Sequence, residues 1–223
     1  MRTKFLFIVT LLLGALHTNA QHSGQWRDSL NTVIRQSELY PDSINLQLQK
    51  ASLYLQSSDW EKAAEVCNEI LLKQETNLPA LFYRAWANNM RRYENARSDY
   101  ETFLKIAPDN MESRLGLAYT YTKLGRNNEA MDQMNRLVEM FPDSSTVYAA
   151  RSGLEKDMSQ YETALYDIEK ALSLDPANHD YIIEKVGILL NLGRKDDARR
   201  TLNYGVSKGI PMGLLKEWYS KCK

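Results

Sequence analysis

Site chemistry needs nucleophiles, bases, metal ligands or phosphate-binding loops at workable spacings, and this sequence holds few of them. Histidine occurs three times, at His17, His22 and His179. No His-x-x-x-His or Cys-x-x-Cys pair is present, so the spacings that ligate zinc are missing. There is no Gly-rich phosphate loop and no Gly-x-Ser-x-Gly turn. A lone histidine without a positioned partner, such as His179, reads as a solvated loop residue rather than a base. The acidic pairs Glu155/Asp157 and Asp196/Asp197 read as solvated helix carboxylates. The basic set Arg194, Lys195, Arg199 and Arg200 is interrupted by Asp196 and Asp197, and mixed signs cancel at Debye range. Cys67 reads as a buried thiol and Cys222, next to last, as a loose one. The expectation is therefore no catalytic residue, no metal and no cofactor.

What remains is a set of side chains suited to holding another molecule, and these depend on how the chain is organised. It has 223 residues, 43% of them apolar, enough for a substantial core. Its 28 basic residues equal its 28 acidic ones, which counts against nucleic-acid binding. Residues 1–20 look like an export signal. Arg2 and Lys4 form a positive head, Phe5 to Leu16 is an apolar run, and Thr18-Asn19-Ala20 offers small residues for cleavage before Gln21. An uncleaved anchor is the alternative, but the run is shorter than the about 20 residues a membrane helix needs. No cysteine follows the run to carry a lipid, and no later stretch reads as a membrane helix. The mature chain is thus expected in a periplasm or outside the cell.

Internal repetition is the strongest signal. One column of small residues runs Ser29, Ala63, Ala96, Ala130, Ala164, Ala198. A second runs Ala51, Ala85, Ala118, Ser152, Val186. A third marks repeat ends at Pro41, Glu75, Pro108, Pro142, Pro176, Ile210. Every step is 34 residues except one of 33, shared by all three columns and traceable to the turn at Met90–Tyr93. Small residues let two helices cross closely, and runs such as Ala164, Ile168, Ala171 and Leu172 recur at helical spacing. Gly125 and Gly193 sit where a helix must stop, and the proline column blocks extension of the second helix. In a linear stack Cys67 and Cys222 fall at opposite ends, too far apart for a disulfide.

The segments RLGLAYTYTKLGRNNEAMDQMNRLVEMFPDS and ARSGLEKDMSQYETALYDIEKALSLDPAN resemble tetratricopeptide repeats. They share the Gly-Leu-Ala-Tyr run, the Leu-Gly turn, the Tyr-x-x-Ala start of a second helix and the closing Asp-Pro. The resemblance implies an all-α fold, a right-handed superhelical solenoid of about five helix–turn–helix units with capping helices at both ends. The units are expected at 44–77, 78–110, 111–144, 145–178 and 179–212. Residues 21–43 read as an N-terminal cap, in which Trp26, Ser29 and Val33 continue the columns, and 213–223 as a C-terminal cap. Glu75 and Ile210 depart from the closing proline, and Val186 from the small residue.

In this family the first helix of each pair lines the concave side, so the resemblance points to an inner face. Steps of 3, 4 and 3 give Asn45, Leu48, Ser52 and Leu55, then Phe82, Trp86 and Asn89, then Glu112, Leu115, Tyr119 and Thr122. Phe82, Trp86, Asn89, Leu115, Tyr119 and Thr122 are the candidate partner-binding residues, with Phe82, Trp86 and Tyr119 expected as an exposed aromatic patch. The alternative is that Phe82 and Trp86 pack between neighbouring units. Chaperone-binding family members grip a terminal carboxylate with lysine and asparagine on these columns. The matching places here hold Leu48, Ser52, Tyr83, Glu112 and Gly116 in the first frame, and the two later frames also lack the clamp. The functional expectation is a scaffold that binds a protein or peptide in its groove. A structural subunit of an envelope complex, contacting through its ends or convex face, is the alternative, and an enzyme or an RNA-reading repeat fits less well.

Overall fold

The computed structural model describes residues 22–223, so the expected signal at residues 1–20, including His17, lies outside it, as do the side chains of residues 22–26. Among the described residues there are twelve α-helices and no strand. A lone helix, α1 (His22–Leu39), comes first. Ten helices follow in sequential pairs: α2 (Ile44–Gln56) and α3 (Trp60–Lys73), α4 (Leu78–Asn88) and α5 (Tyr93–Ile106), α6 (Met111–Lys123) and α7 (Asn127–Met140), α8 (Ser145–Asp157) and α9 (Tyr161–Leu174), α10 (His179–Asn191) and α11 (Lys195–Ser207). A single helix, α12 (Met212–Lys221), ends the order. No helix is long and apolar enough to cross a membrane, among the described residues.

The chain forms two compact units that divide between Gln133 and Met134, within α7. In the first, each helix from α1 to α5 packs on the next, and the first helices of successive pairs, α2, α4 and α6, also touch side by side. In the second, α8 packs on α9, α9 on α10, α10 on α11 and α11 on α12.

The two small-residue columns are fully enclosed in both units. Ala51, Ala85, Ala118, Ser152 and Val186, with Ala63, Ala96, Ala130, Ala164 and Ala198, all have 0% exposure. Enclosure at these points favours small side chains, and overpacking a core site typically costs about 1–3 kcal/mol. Ser152 keeps its hydroxyl satisfied by donating to the Ala164 carbonyl at 2.7 Å. Ser29 breaks the column, for it is exposed. The side of α1 turned inward is instead Leu30, Val33, Ile34 and Ser37, at i, i+3, i+4 and i+7. No first helix precedes α1 among the described residues to cross Ser29, while Leu30, Val33 and Ser37 lie one period before the buried Ala64, Cys67 and Leu71 of α3.

Caps recur with the same period, a signal the small-residue columns overlook. Asn77, Asn110 and Asn178 precede α4, α6 and α10 and accept from backbone N–H groups at 3.0, 2.8 and 3.1–3.2 Å. Within the pairs, the turns place Ser58, Gly125, Ser159 and Gly193 in the left-handed region, with φ of 60, 74, 62 and 72°. The α4–α5 turn has no such residue. Here the single-residue deletion shortens α4 to 11 residues where its counterparts have 13. At the repeat ends the prolines are exposed, but Ile210 is 5% exposed and packs near Gly205. Cys222 is not loose as expected: it is 8% exposed, and its thiol lies 3.3 Å from the Trp218 carbonyl.

Candidate functional site

The face expected to be the inner one falls on α2, α4 and α6, which touch side by side in the first unit. Phe82 does not stand exposed. It is half-buried against the core and meets the rings of Tyr83, Trp86, Tyr100 and Phe103 at centroid distances of 6.1–6.3 Å. Trp86 is half-buried and edge-on to it. Leu115 and Tyr119 are buried, and the Lys123 ammonium lies 5.1 Å from the Tyr119 ring centroid. Burial pushes the Tyr119 phenol well above its usual range. Asn89 is also buried, donating to the Tyr100 hydroxyl at 3.4 Å and accepting from the Thr120 hydroxyl at 2.7 Å. Thr122 is half-buried and donates to the Ala118 carbonyl at 2.9 Å. The expected exposed patch of Phe82, Trp86 and Tyr119 is therefore corrected. Aromatic groups at helical spacing have packed into the core, where their large area is most stabilising.

The same face does carry an open depression. Between α1, α2 and α4, a shallow groove of about 330 Å³ is lined by Val33, Leu48, Gln49, Ser52, Gln56 and Tyr83. None of these is charged. Leu48, Ser52 and Tyr83 were legible as inner-face positions; Gln49 and Gln56 were not, because they sit at the rim.

A larger cleft of about 950 Å³ lies along the α2–α3 and α4–α5 turns, lined by Ser58, Asp59, Trp60, Met90, Arg91 and Arg92 among others. The shortened period at Met90–Tyr93 was the sequence signal for it. Its signs are mixed, and Asp59 pairs with Lys62 at 2.7 Å.

The charged groups named from sequence fall in two classes. Asp197 pairs with Arg194 at 2.6 Å and also with Arg200, and Arg194 first of all holds its carboxyl below the usual range. That set behaves as a self-paired surface. Glu155 does not, for it is only 8% exposed, so its reading as a solvated carboxylate is corrected. His179 is exposed, with Nε2 3.0 Å from the Lys208 carbonyl oxygen. Burial raises the Cys67 thiol to about 12, so it stays protonated and unreactive at neutral pH. No group of three or more His, Cys, Asp or Glu side chains is placed to hold a metal ion, among the described residues.

Paired helices crossing at a 34-residue period define an all-α helical-repeat fold. Residues 89–154 match the family model described as tetratricopeptide repeat. A crystal structure of a tetratricopeptide repeat protein from Parabacteroides merdae superposes with a TM-score of 0.70 at 21% identity, covering 99% of this chain and 85% of that one. Superkiller protein 3 of Schizosaccharomyces pombe is 24% identical over 127 residues, which is 53% of this chain and 9% of that protein. Hsp70-Hsp90 organizing protein 3 of Arabidopsis thaliana is 24% identical over 92 residues, 41% of this chain and 16% of that protein. The chain thus spans under a fifth of the length of these two curated relatives.

Proposed function

We propose that the chain is a non-enzymatic scaffold that binds a protein or peptide partner along the inner face of α2, α4 and α6. The carrying observation is the uncharged groove between α1, α2 and α4. Gln49, Ser52 and Gln56 can meet the polar backbone of an extended peptide, while Leu48 and Tyr83 receive its apolar side chains. Phe82, Trp86 and Thr122 keep accessible surface and extend the contact. Asn89, Leu115 and Tyr119 are buried and act from behind, by fixing α4 and α6. The Arabidopsis relative's name couples it to Hsp70 and Hsp90. The basic clamp for a terminal carboxylate is absent here at Leu48, Ser52, Tyr83, Glu112 and Gly116, which argues for a different ligand. Replacing Tyr83 and Trp86 together by alanine should remove the partner recovered by the full chain from cells of its source. Unchanged recovery by a variant with native helicity would take the groove out of consideration.

The reading includes export, with cleavage before Gln21 and a mature chain in a periplasm or beyond. The mass of the chain purified from its source tests this directly: an intact first residue rules cleavage out. A second reading is favoured by α12, where Met212 and Leu214 are 56% and 72% exposed while Leu215 turns inward. In that reading the chain joins an envelope complex through this end. Aspartate at Met212 and Leu214 should then dissolve the complex without lowering Tm.

A further inference from the structure

Glu155 occupies a place that the other pairs fill differently. Tyr54, Asn88, Tyr121 and Leu189 are its counterparts one or more periods away, and all five are buried. None of the other four can ionise near neutral pH. Glu155 Oε2 is enclosed without a hydrogen-bond partner, a costly condition for an ionised carboxylate.

The groups facing it come from few elements. On α8 itself Arg151 lies one turn away, but its guanidinium is committed. Nε and Nη2 donate to Asp167 at 2.6 and 2.9 Å, and Nη1 donates to Asn135 of α7 at 3.0 Å. From α9 come Asp167, a second carboxylate at 1% exposure, and the Thr163 hydroxyl. On α10, packed against α9, Lys185 is spent on Glu169 at 2.9 Å. Lys156, next along α8, pairs with Glu184 of α10, and Asp157 is exposed. Two carboxylates thus share one cation, and the cation's bonds go to Asp167.

We propose that Glu155 is a proton-operated latch on the α8–α9 hairpin, closed when its carboxyl is neutral and loosened when it ionises. A neutral carboxyl sits in the slot as the neighbouring pairs' uncharged residues do, and its proton can be donated to the acceptor-only Asp167. Ionised, it adds a second buried negative charge beside Asp167.

The direction of the effect follows from linkage. Burial first, then the charge of Asp167, raises the Glu155 carboxyl from 4.5 to about 7, against the pull of Arg151. A raised folded-state value means the stabilisation is complete below pH 4.5 and is lost as pH climbs through about 7.

The test uses the full chain and its Glu155→Gln variant, followed by hydrogen exchange and Tm from pH 5 to 8. In the natural chain, amide opening in α8 and α9 should increase about tenfold or more across that range, after correction for intrinsic exchange. Glu155→Gln should flatten the rise and match the natural chain at pH 5. Parallel profiles for the two proteins would overturn the latch, as would a rise confined to other helices. Should the variant not fold, carboxyl 13C titration of the natural chain decides instead: a Glu155 midpoint near 4.5 ends the proposal and one near 7 sustains it.

Discussion

Gly116 shows how one absent atom sets the contact of α5 with α6. A Cβ there would lie 2.4 Å from Tyr100 Cζ and 2.6 Å from its hydroxyl oxygen, closer than real side chains come. The Tyr100 ring cannot easily retreat, being 1% exposed and tied to Asn89 through its hydroxyl. Gly116→Ala should therefore destabilise the chain by about 1–3 kcal/mol, as overpacked cores do, a fall in Tm of about 2–4 °C for each kcal/mol at this size. Adding Tyr100→Leu should recover part of the loss; an unchanged Tm in the single variant would show that the ring moves aside freely. Gly116 was visible in the sequence only as part of a family mark, because the residue it receives lies on another helix. The same limit explains Phe82 and Tyr119. Steps of 3, 4 and 3 assign a residue to a side of its helix, but neighbouring helices decide whether that side is covered. Glu155 escaped for the opposite reason, since its residue type argued for solvent while its period argued for the core.

Helix pairs are joined by a polar contact that skips a repeat. Arg84 on α4 donates to Asp99 of α5 at 2.6 and 2.9 Å and reaches back to Asn68 of α3 at 2.8 Å. Arg151 on α8 repeats this with Asp167 and Asn135. At the equivalent position α6 carries Leu117, 4% exposed. The arginine therefore bridges its own partner helix and the preceding one, and a leucine can fill the slot instead. Removing one member of such a pair strands the other. Asp99→Ala should cost about 2–3 kcal/mol, below the usual range for fully buried pairs because the Arg84 side chain is 26% exposed. Arg84→Leu with Asp99→Ala should cost less than the two single changes added together, measured by urea unfolding. Strict additivity would mean the pair does not act as one unit. At this scale the sequence was legible. Crossing points are filled by alanine or serine at every position but Val186, so Ala51 through Ala198 recorded the period. The arginine bridge was hidden because it depends on two columns matched across helices. Ser29 keeps the period yet is exposed, because no first helix precedes α1 among the described residues to cross it.

A repeat scaffold has little long-range packing, so its stability is close to a sum of terms for each repeat and each neighbouring interface. Its ends then matter more than their size suggests, because a terminal repeat lacks one interface. Here α12 supplies it. Leu215 is 1% exposed, a Cβ at Gly187 would meet the Trp218 ring at 3.8 Å, and the Tyr219 hydroxyl donates to Asn203 of α11 at 2.7 Å. Leu215→Ala should remove about 2–5 kcal/mol from that interface by opening a cavity. Nearest-neighbour energetics confine the damage. Amides of α10 and α11 should exchange much faster in the variant, those of α8 and α9 somewhat faster, and those of α2 and α3 at an unchanged rate. A loss of protection spread evenly from α2 to α12 would mean that the helices open as a single cooperative block.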